Sequence, residues 1–218
     1  MNGMLALLWD MNGVLVDDEP IQERVWRAVL ADAGFELETS SWRAHCMGRK
    51  IVPALQRLFP ALDDRAIGLL AAEKQRRYRH LAAGGLPLVA GASELIALAA
   101  ARSVPQAVVT SASAVEIALV LEQLQAHSYF DVLVCGADVS ADKPAPDCYL
   151  LASARLGVNP QDCWVIEDSL FGIEAAQAAG MRVIAVTTSL AAAELEHADM
   201  VVDGFDVGLL ATLQALAG

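Results

Sequence analysis

From about residue 87 onward, short apolar runs alternate with segments of helical periodicity. The apolar runs predict strands over residues 104–110, 132–135, 163–167, 182–186 and 200–202. The segments that separate and follow them predict helices over residues 113–125, 146–156, 169–179 and 207–216. Apolar strands that alternate with helices are typical of a parallel sheet with helices on both faces. An earlier apolar run at residues 5–9 supplies the first strand of that sheet.

Residues 18–86 show only helical periodicity, with predicted helices over residues 21–33, 52–58 and 66–81. This stretch is therefore predicted to be an all-helical insert after the first strand. The acidic pair Asp17-Asp18 and the glycine- and proline-containing segment 84–87 are its predicted hinges. We expect an α/β core of residues 1–17 and 87–218, and a small helical cap of residues 18–86.

The composition fits a folded protein with a filled interior, since 56% of the 218 residues are hydrophobic and 19% are charged. A net charge of -12 argues against a nucleic-acid partner, which would need a basic face. The apolar runs are too short for a membrane span, so we expect no membrane partner. The four cysteines are scattered without C-x-x-C spacing, which favours free thiols and a cytoplasmic location. We expect a monomer.

Three of the predicted strands end in polar residues. Asp10 ends the first strand, the pair Thr110-Ser111 ends the second, and the pair Glu167-Asp168 ends a later one. In open parallel sheets the ligand site lies beyond the carboxyl ends of the strands, so these side chains are expected to converge. Asp10 stands between an apolar strand and a turn that contains Gly13, which makes its carboxylate the candidate nucleophile.

Four segments with chemical groups follow one another in a set order along the chain. They are Asp10-Met11-Asn12-Gly13-Val14, Thr110-Ser111, Lys143-Pro144-Ala145-Pro146-Asp147 and Glu167-Asp168-Ser169. In these segments the chain resembles the haloacid dehalogenase-like hydrolase superfamily, within it the subgroup with a small helical cap that includes sugar-phosphate phosphatases and β-phosphoglucomutase. The resemblance implies a Rossmann-like core, a mobile cap, a Mg²⁺ ion and an aspartyl-phosphate intermediate.

The resemblance also implies a role for each residue that matches a family motif. Asp10 would attack phosphorus, and Lys143 would pair with that nucleophile and with the phosphoryl group. Ser111 and the neighbouring backbone N–H of Ala112 would bind phosphate oxygens. Positioning and charge stabilisation of this kind are the main contributions that proteins make to phosphoryl transfer.

The same resemblance implies a Mg²⁺ site at the first and fourth segments. The metal would be held by the Asp10 side chain, the backbone carbonyl of Asn12 and the Asp168 carboxylate. Glu167 would support the metal directly or through water. Magnesium prefers oxygen ligands such as these.

Two basic residues of the insert are candidates for substrate binding. Arg49 lies in what resembles the family's specificity loop, and Lys74 lies where related mutases place a cap lysine. Either side chain could hold a distal phosphate or carboxylate. The alternative for Lys74 is a solvated helix face, which it would share with Arg76, Arg77 and Arg79.

Asn12 is the chief departure from the family pattern. Most phosphatases of the family carry an aspartate there, as general acid for the leaving alcohol and general base for the hydrolytic water. An amide can hydrogen-bond the leaving oxygen but cannot carry its proton, and loss of such a group typically costs roughly 10²–10⁴-fold in rate. Asp17, Asp18 and Glu19 follow closely, but the sequence does not indicate where their side chains point.

The residues and the resemblance together favour a Mg²⁺-dependent phosphohydrolase acting on a small phosphorylated metabolite, such as a sugar phosphate. Asn12 leaves open an impaired or altered phosphatase and a non-catalytic protein that binds a phosphorylated ligand. A phosphosugar mutase is a further alternative, although Gln22 lies near the position of the hinge histidine of β-phosphoglucomutase. A carbon–halogen hydrolase is disfavoured because Glu167-Asp168 indicates metal support.

Overall fold

The computed structural model describes residues 5–216, so residues 1–4 and 217–218 of the predicted core lie outside the described part. Its strands form one parallel sheet in the order β3-β2-β1-β4-β5-β6. They are β1 (Ala6–Trp9), β2 (Gln106–Val109), β3 (Val132–Val134), β4 (Cys163–Glu167), β5 (Arg182–Val186) and β6 (Met200–Val202).

Four helices lie between β1 and the rest of the fold, and five accompany the later strands in the described residues. The first group is α1 (Glu19–Asp32), α2 (Thr39–His45), α3 (Ile51–Leu58) and α4 (Asp64–Ala82). The second group is α5 (Ala92–Ala101), α6 (Ala114–Leu124), α7 (Asp147–Leu156), α8 (Leu170–Ala178) and α9 (Val207–Leu216). None of the described helices combines the length and the apolar character that a bilayer crossing requires.

Helices cover both faces of the sheet, as the sequence predicts. Leu7 and Trp9 of β1 pack on one side against α5, α6 and α9. Ala6 and Leu8 of the same strand pack on the other side against α7 and α8. Burial of a leucine side chain stabilises a fold by about 1.5–3 kcal/mol, so a strand buried on both faces anchors the sheet. The α/β fold with a parallel sheet is confirmed.

The structure adds two helices to those predicted, α2 and α5. Helix α5 begins after Gly91, which has a φ of +78°, and α2 begins after Glu38; neither residue makes a side-chain cap hydrogen bond. The usual sequence signal for a helix start is therefore missing at both places. In contrast, α6 begins with the predicted capping box, in which Ser113 and Glu116 each bind the other's backbone N–H.

The sheet order explains where the polar strand ends meet. The chain passes from β1 to β2 and β3 on one side, and then returns to β4, β5 and β6 on the other. A crevice forms beyond the carboxyl ends of the strands where the direction of winding reverses, which here is between β1 and β4. Asp10 follows β1 and Glu167 ends β4, so both acids reach this crevice.

Candidate active site

The turn after β1 places Asp10 and Asn12 at the edge of the sheet. The Met11 carbonyl accepts hydrogen bonds from the backbone N–H groups of Leu15 at 2.8 Å and Val16 at 3.2 Å. Gly13, with a φ of +76°, stands so close to the Asp168 carboxylate that a Cβ atom would overlap it. The turn thus needs glycine both for its backbone conformation and for the approach of the fourth motif to the first.

A buried cluster joins three of the four motifs. The Lys143 ammonium donates to Asp10 Oδ1 at 2.7 Å and to Glu167 Oε1 at 2.6 Å. It also lies 3.0 Å from the Tyr149 hydroxyl, which donates to Glu167 Oε1 at 2.8 Å. Asp10 is 7% exposed, Lys143 3% and Glu167 0%. Residues that are distant in sequence therefore form one ion-paired unit.

Burial and neighbouring charges shift the pKa values in this unit. Desolvation raises the pKa of Asp10 to about 7, because it outweighs the stabilisation of the carboxylate by Lys143. Burial alone would lower the pKa of Lys143, but the adjacent carboxylates of Asp10 and Glu167 hold it well above its usual value. Burial opposes ionisation of Glu167 too. The charge of Lys143 and the hydrogen bonds that Glu167 accepts from Lys143, Tyr149 and Ser169 nevertheless hold the pKa of that carboxyl below its usual value. The lysine and Glu167 thus form a charged pair next to Asp10.

Asp10, Glu167 and Asp168 each offer a carboxylate oxygen within 4.8 Å of the others. Burial, followed by the charges of Glu167, Glu19 and Asp10, raises the pKa of Asp168 well above its usual value. Buried acids this close repel one another, and a hard cation with oxygen ligands relieves that repulsion. The residues present therefore fit a Mg²⁺ ion.

The three acids differ in how far protein donors already occupy them. Glu167 Oε2 accepts from the backbone N–H groups of Asp168 at 3.0 Å and Ser169 at 3.1 Å, and from the Ser169 hydroxyl at 2.9 Å. Its Oε1 accepts from Lys143 and Tyr149. Glu167 is therefore suited to fixing the turn at residues 168–169 and the Lys143 side chain. Within residues 5–216, Asp168 has a single side-chain hydrogen-bond partner, the Ser189 hydroxyl, on its Oδ2 atom. Asp10 and Asp168 are therefore the more available candidate ligands for a metal ion.

Ser111 and Ala112 follow the end of β2. They line a cavity whose wall also includes Asp10 and Asp168. The Ser111 hydroxyl donates to the Gly48 carbonyl at 3.1 Å, and the Ala112 N–H donates to Thr110 Oγ1 at 3.1 Å. The contact with Gly48 is one of several between the 48–50 segment and the core. The Lys50 ammonium, for example, donates to the Val139 carbonyl at 2.6 Å.

Asn12 belongs to a second hydrogen-bonded network, between the turn and helices α1 and α4. Its amide nitrogen donates to Asp18 Oδ2 at 2.7 Å. The same oxygen accepts from Gln22 at 2.9 Å and from the Tyr78 hydroxyl. The Lys74 ammonium continues the network by donating to the side-chain amide oxygen of Gln22, Oε1. The network orients the Asn12 amide with its nitrogen toward Asp18.

Arg49 and Lys74 both line the cavity of about 460 Å³ that contains Asp10 and Asp168. The Arg49 guanidinium stacks 3.6 Å from the centre of the Phe171 ring, and its Nε is enclosed without a hydrogen-bond partner in the described part of the chain. Lys74 is 5% exposed, and burial lowers its pKa. The alternative of a solvated face fits Arg76 and Arg77 instead, since both form ion pairs with Glu73.

The structure brings together every residue that the sequence singles out for the site, around one cavity and the ion-paired unit beneath it. Sequence reasoning missed Tyr149 and Ser189, the hydroxyl partners of Glu167 and Asp168. It also missed Tyr78 in the Asn12 network. Each of these hydroxyls reaches the site through tertiary packing, and no motif or spacing marks it in the sequence.

Comparisons with known proteins agree in the family they indicate. Residues 7–186 match the family model for haloacid dehalogenase-like hydrolases. Fructose-1-phosphate phosphatase YqaB of Escherichia coli is 35% identical to the chain, over 83% of the chain and 95% of that enzyme. A phosphorylated carbohydrates phosphatase of Thermotoga maritima is 33% identical, over 86% of the chain and 87% of that protein.

Solved structures resemble the whole described fold. A variant of CbbY from Rhodobacter sphaeroides, in complex with xylulose-(1,5)bisphosphate, superposes with a TM-score of 0.82 at 28% identity and covers 92% of this chain and 94% of its own. β-Phosphoglucomutase from Clostridium difficile superposes with a TM-score of 0.86 at 22% identity, over 98% of both chains. The second likeness is one of fold.

Proposed function

Because the chain belongs to the haloacid dehalogenase-like hydrolase family, we propose that it is a Mg²⁺-dependent phosphatase of small phosphorylated carbohydrates that works through an aspartyl-phosphate. The observation that carries the proposal is the buried ion pair between Asp10 and Lys143, next to Asp168. The named activities of the two similar phosphatases support phosphorylated carbohydrates as the substrate class.

In the proposed first step, an Asp10 oxygen forms a bond to phosphorus while the bond between phosphorus and the ester oxygen breaks. Lys143 holds Asp10 in place and offsets the negative charge that the phosphoryl group brings toward it. Water then attacks the phosphoenzyme and releases inorganic phosphate, so one difficult step becomes two easier ones. A Mg²⁺ ion held by Asp10, Asp168 and the Asn12 carbonyl would further neutralise the phosphoryl oxygens.

Four further residues on the cavity wall are proposed to bind the substrate, each according to where it lies. Ser111 and Ala112 are proposed to bind phosphate oxygens at the end of β2. Arg49 and Lys74 are proposed to hold the distal part of the substrate from the helical side. Residues 18–86 would then act as the cap that encloses the substrate, and the hydrogen bonds from Lys50 to the Val139 carbonyl and the Asp142 carboxylate would form when it closes.

A direct assay tests the proposed function. We expect release of inorganic phosphate from fructose 1-phosphate, a hexitol phosphate, xylulose 1,5-bisphosphate or a related ester in the presence of MgCl₂. Removal of the metal with EDTA should abolish that release, and added Mg²⁺ should restore it. Isomerised sugar phosphate with little free phosphate would instead indicate a mutase. Ligand binding without turnover of any ester would indicate a binding protein.

Arg49→Ala is expected to raise KM for the best sugar phosphate by roughly 10- to 100-fold, since it removes a hydrogen bond to a charged group. The kcat should change little, because Arg49 contacts the distal part of the substrate equally in the ground and transition states. Steady-state kinetics measure both values. Arg43→Ala, which removes an exposed arginine of α2, is the matched control. An unchanged KM for Arg49→Ala would exclude Arg49 from substrate binding.

A further inference from the structure

Cleavage of a sugar phosphate requires a proton donor that the motifs do not supply. When the bond between phosphorus and the ester oxygen breaks, the electron pair stays on the alcohol oxygen, which must be protonated near neutral pH. A positioned acid contributes roughly 10²–10⁴-fold to such a step. The Asn12 amide cannot give up a proton, and its nitrogen already donates to Asp18 at 2.7 Å.

Most ionisable groups on the cavity wall are committed elsewhere. Among the described residues, the carboxyl groups that line the cavity are those of Asp10, Glu19, Glu116 and Asp168. Asp10 and Asp168 serve the nucleophile and the metal. Glu116 Oε2 accepts from both the backbone N–H and the hydroxyl of Ser113 at 2.7 Å, as part of the helix cap. This leaves Glu19.

The basic and buried neighbours are less suitable donors than Glu19. The Lys74 ammonium is held by Gln22. Asp18 is fully buried and does not line the cavity, and its Oδ2 atom accepts from Asn12, Gln22 and Tyr78. Asp18 therefore orients Asn12 without reaching the substrate.

Glu19 has the surroundings of a protonated acid. Its Oε2 atom is enclosed and has no hydrogen-bond partner, and no ion pair among residues 5–216 includes this side chain. An acid in the first turn of a helix is normally kept ionised by the helix dipole. Here burial, followed by the charge of Asp18, raises the pKa of Glu19 to about 8, although Lys74 opposes the shift. The charged or titratable groups that interact with it electrostatically are Asp10, Asp17, Asp18, Cys46, Lys74 and Asp168.

We propose that Glu19 is the acid and base of this site, in place of the residue at position 12. Its carboxyl group gives a proton to the alcohol oxygen as the ester bond breaks. The resulting carboxylate then takes a proton from the water that attacks the phosphoenzyme, which returns Glu19 to its starting form. This inference rests on the proposed phosphatase function and adds to it the source of the proton.

Glu19→Gln tests the proposal with two substrates that differ in leaving group. For the best sugar phosphate, kcat/KM should fall by about 10²-fold, whereas for p-nitrophenyl phosphate it should fall less than about threefold, because nitrophenolate leaves without protonation. Adding Asn12→Asp to Glu19→Gln should restore most of the loss on the sugar phosphate. The control Glu36→Gln changes an exposed residue in the loop between α1 and α2, and it should leave kcat/KM for both substrates unchanged.

The wild-type protein gives a second readout that does not depend on the variant's folding. Its kcat for the sugar phosphate should decrease as the pH rises through the pKa of Glu19, because the donor loses its proton, while kcat for p-nitrophenyl phosphate should lack that decrease. If Glu19→Gln lost the same factor of kcat/KM on both substrates, or if the pH profiles of kcat had the same shape for both, the role of Glu19 would be overturned. The proposed phosphatase function would still stand in that case. A wild-type protein that hydrolyses neither ester would overturn the proposed function and this inference together.

Discussion

Replacing Asp10 with asparagine is expected to lower kcat for every phosphate ester by on the order of 10⁴-fold or more, because a neutral amide cannot replace the carboxylate as the nucleophile that attacks phosphorus. The fold should survive the change. Burial raises the pKa of Asp10 to about 7, so the ionised carboxylate is disfavoured where it stands and a neutral amide of the same shape costs little. Lys143 keeps its second partner, Glu167. Phosphate release and thermal melting measure the two halves of this prediction.

Asp17→Asn is the matched control for Asp10→Asn, since it removes an exposed carboxylate from the same segment of the chain. Its activity and melting temperature should both stay close to those of the wild type. Activity that survives in Asp10→Asn would refute the covalent mechanism. A melting temperature that falls steeply would show that Asp10 has a structural role that the shift in its pKa does not indicate.

Lys143→Met is expected to destabilise the metal-free protein by about 3–5 kcal/mol, because it leaves Asp10 and Glu167 buried without their shared cation. The methionine side chain fills a similar volume, so the loss reflects charge more than packing. Urea unfolding in EDTA gives the free energy of unfolding. Added Mg²⁺ should recover part of the loss, since the metal supplies positive charge to the same acids.

Lys50→Met provides the comparison for Lys143→Met. The Lys50 ammonium is only partly buried and donates to the backbone carbonyls of Val139 and Ala141. Its loss should therefore cost less than that of Lys143, about 1.5–3 kcal/mol, the net contribution of a hydrogen bond that involves a charged group. Equal destabilisation by the two variants would mean that the buried carboxylates do not depend on Lys143.

The sheet was predictable from the sequence because its inner strands β1, β2, β4 and β5 are almost entirely buried, and all six strands read as mainly apolar runs. The predicted strands at 163–167, 182–186 and 200–202 have the bounds of β4, β5 and β6. Glycine with a positive φ closes α7 at Gly157, where the pattern predicts an end. Helix α1 begins at Glu19, earlier than the predicted residue 21, because Pro20 is acceptable in a first helical turn.

The reacting groups were predictable for a different reason. Asp10, Ser111 and Asp168 stand at the carboxyl ends of parallel strands, and the topology of such a sheet brings those ends together. What surrounds them was not predictable, since Tyr149 and Ser189 contact the acids only through the packing of a helix and a loop. The burial of Lys74 and the enclosure of Glu19 also depend on how the helices fold against the core.

The contact between the Ser111 hydroxyl and the Gly48 carbonyl has a consequence for turnover. In the proposed function, the Gly48 carbonyl and an oxygen of inorganic phosphate compete for the same proton of Ser111. Once the phosphate has formed, the backbone of the proposed cap would replace it at Ser111 and so help to displace the product. We accordingly expect weak product inhibition by inorganic phosphate.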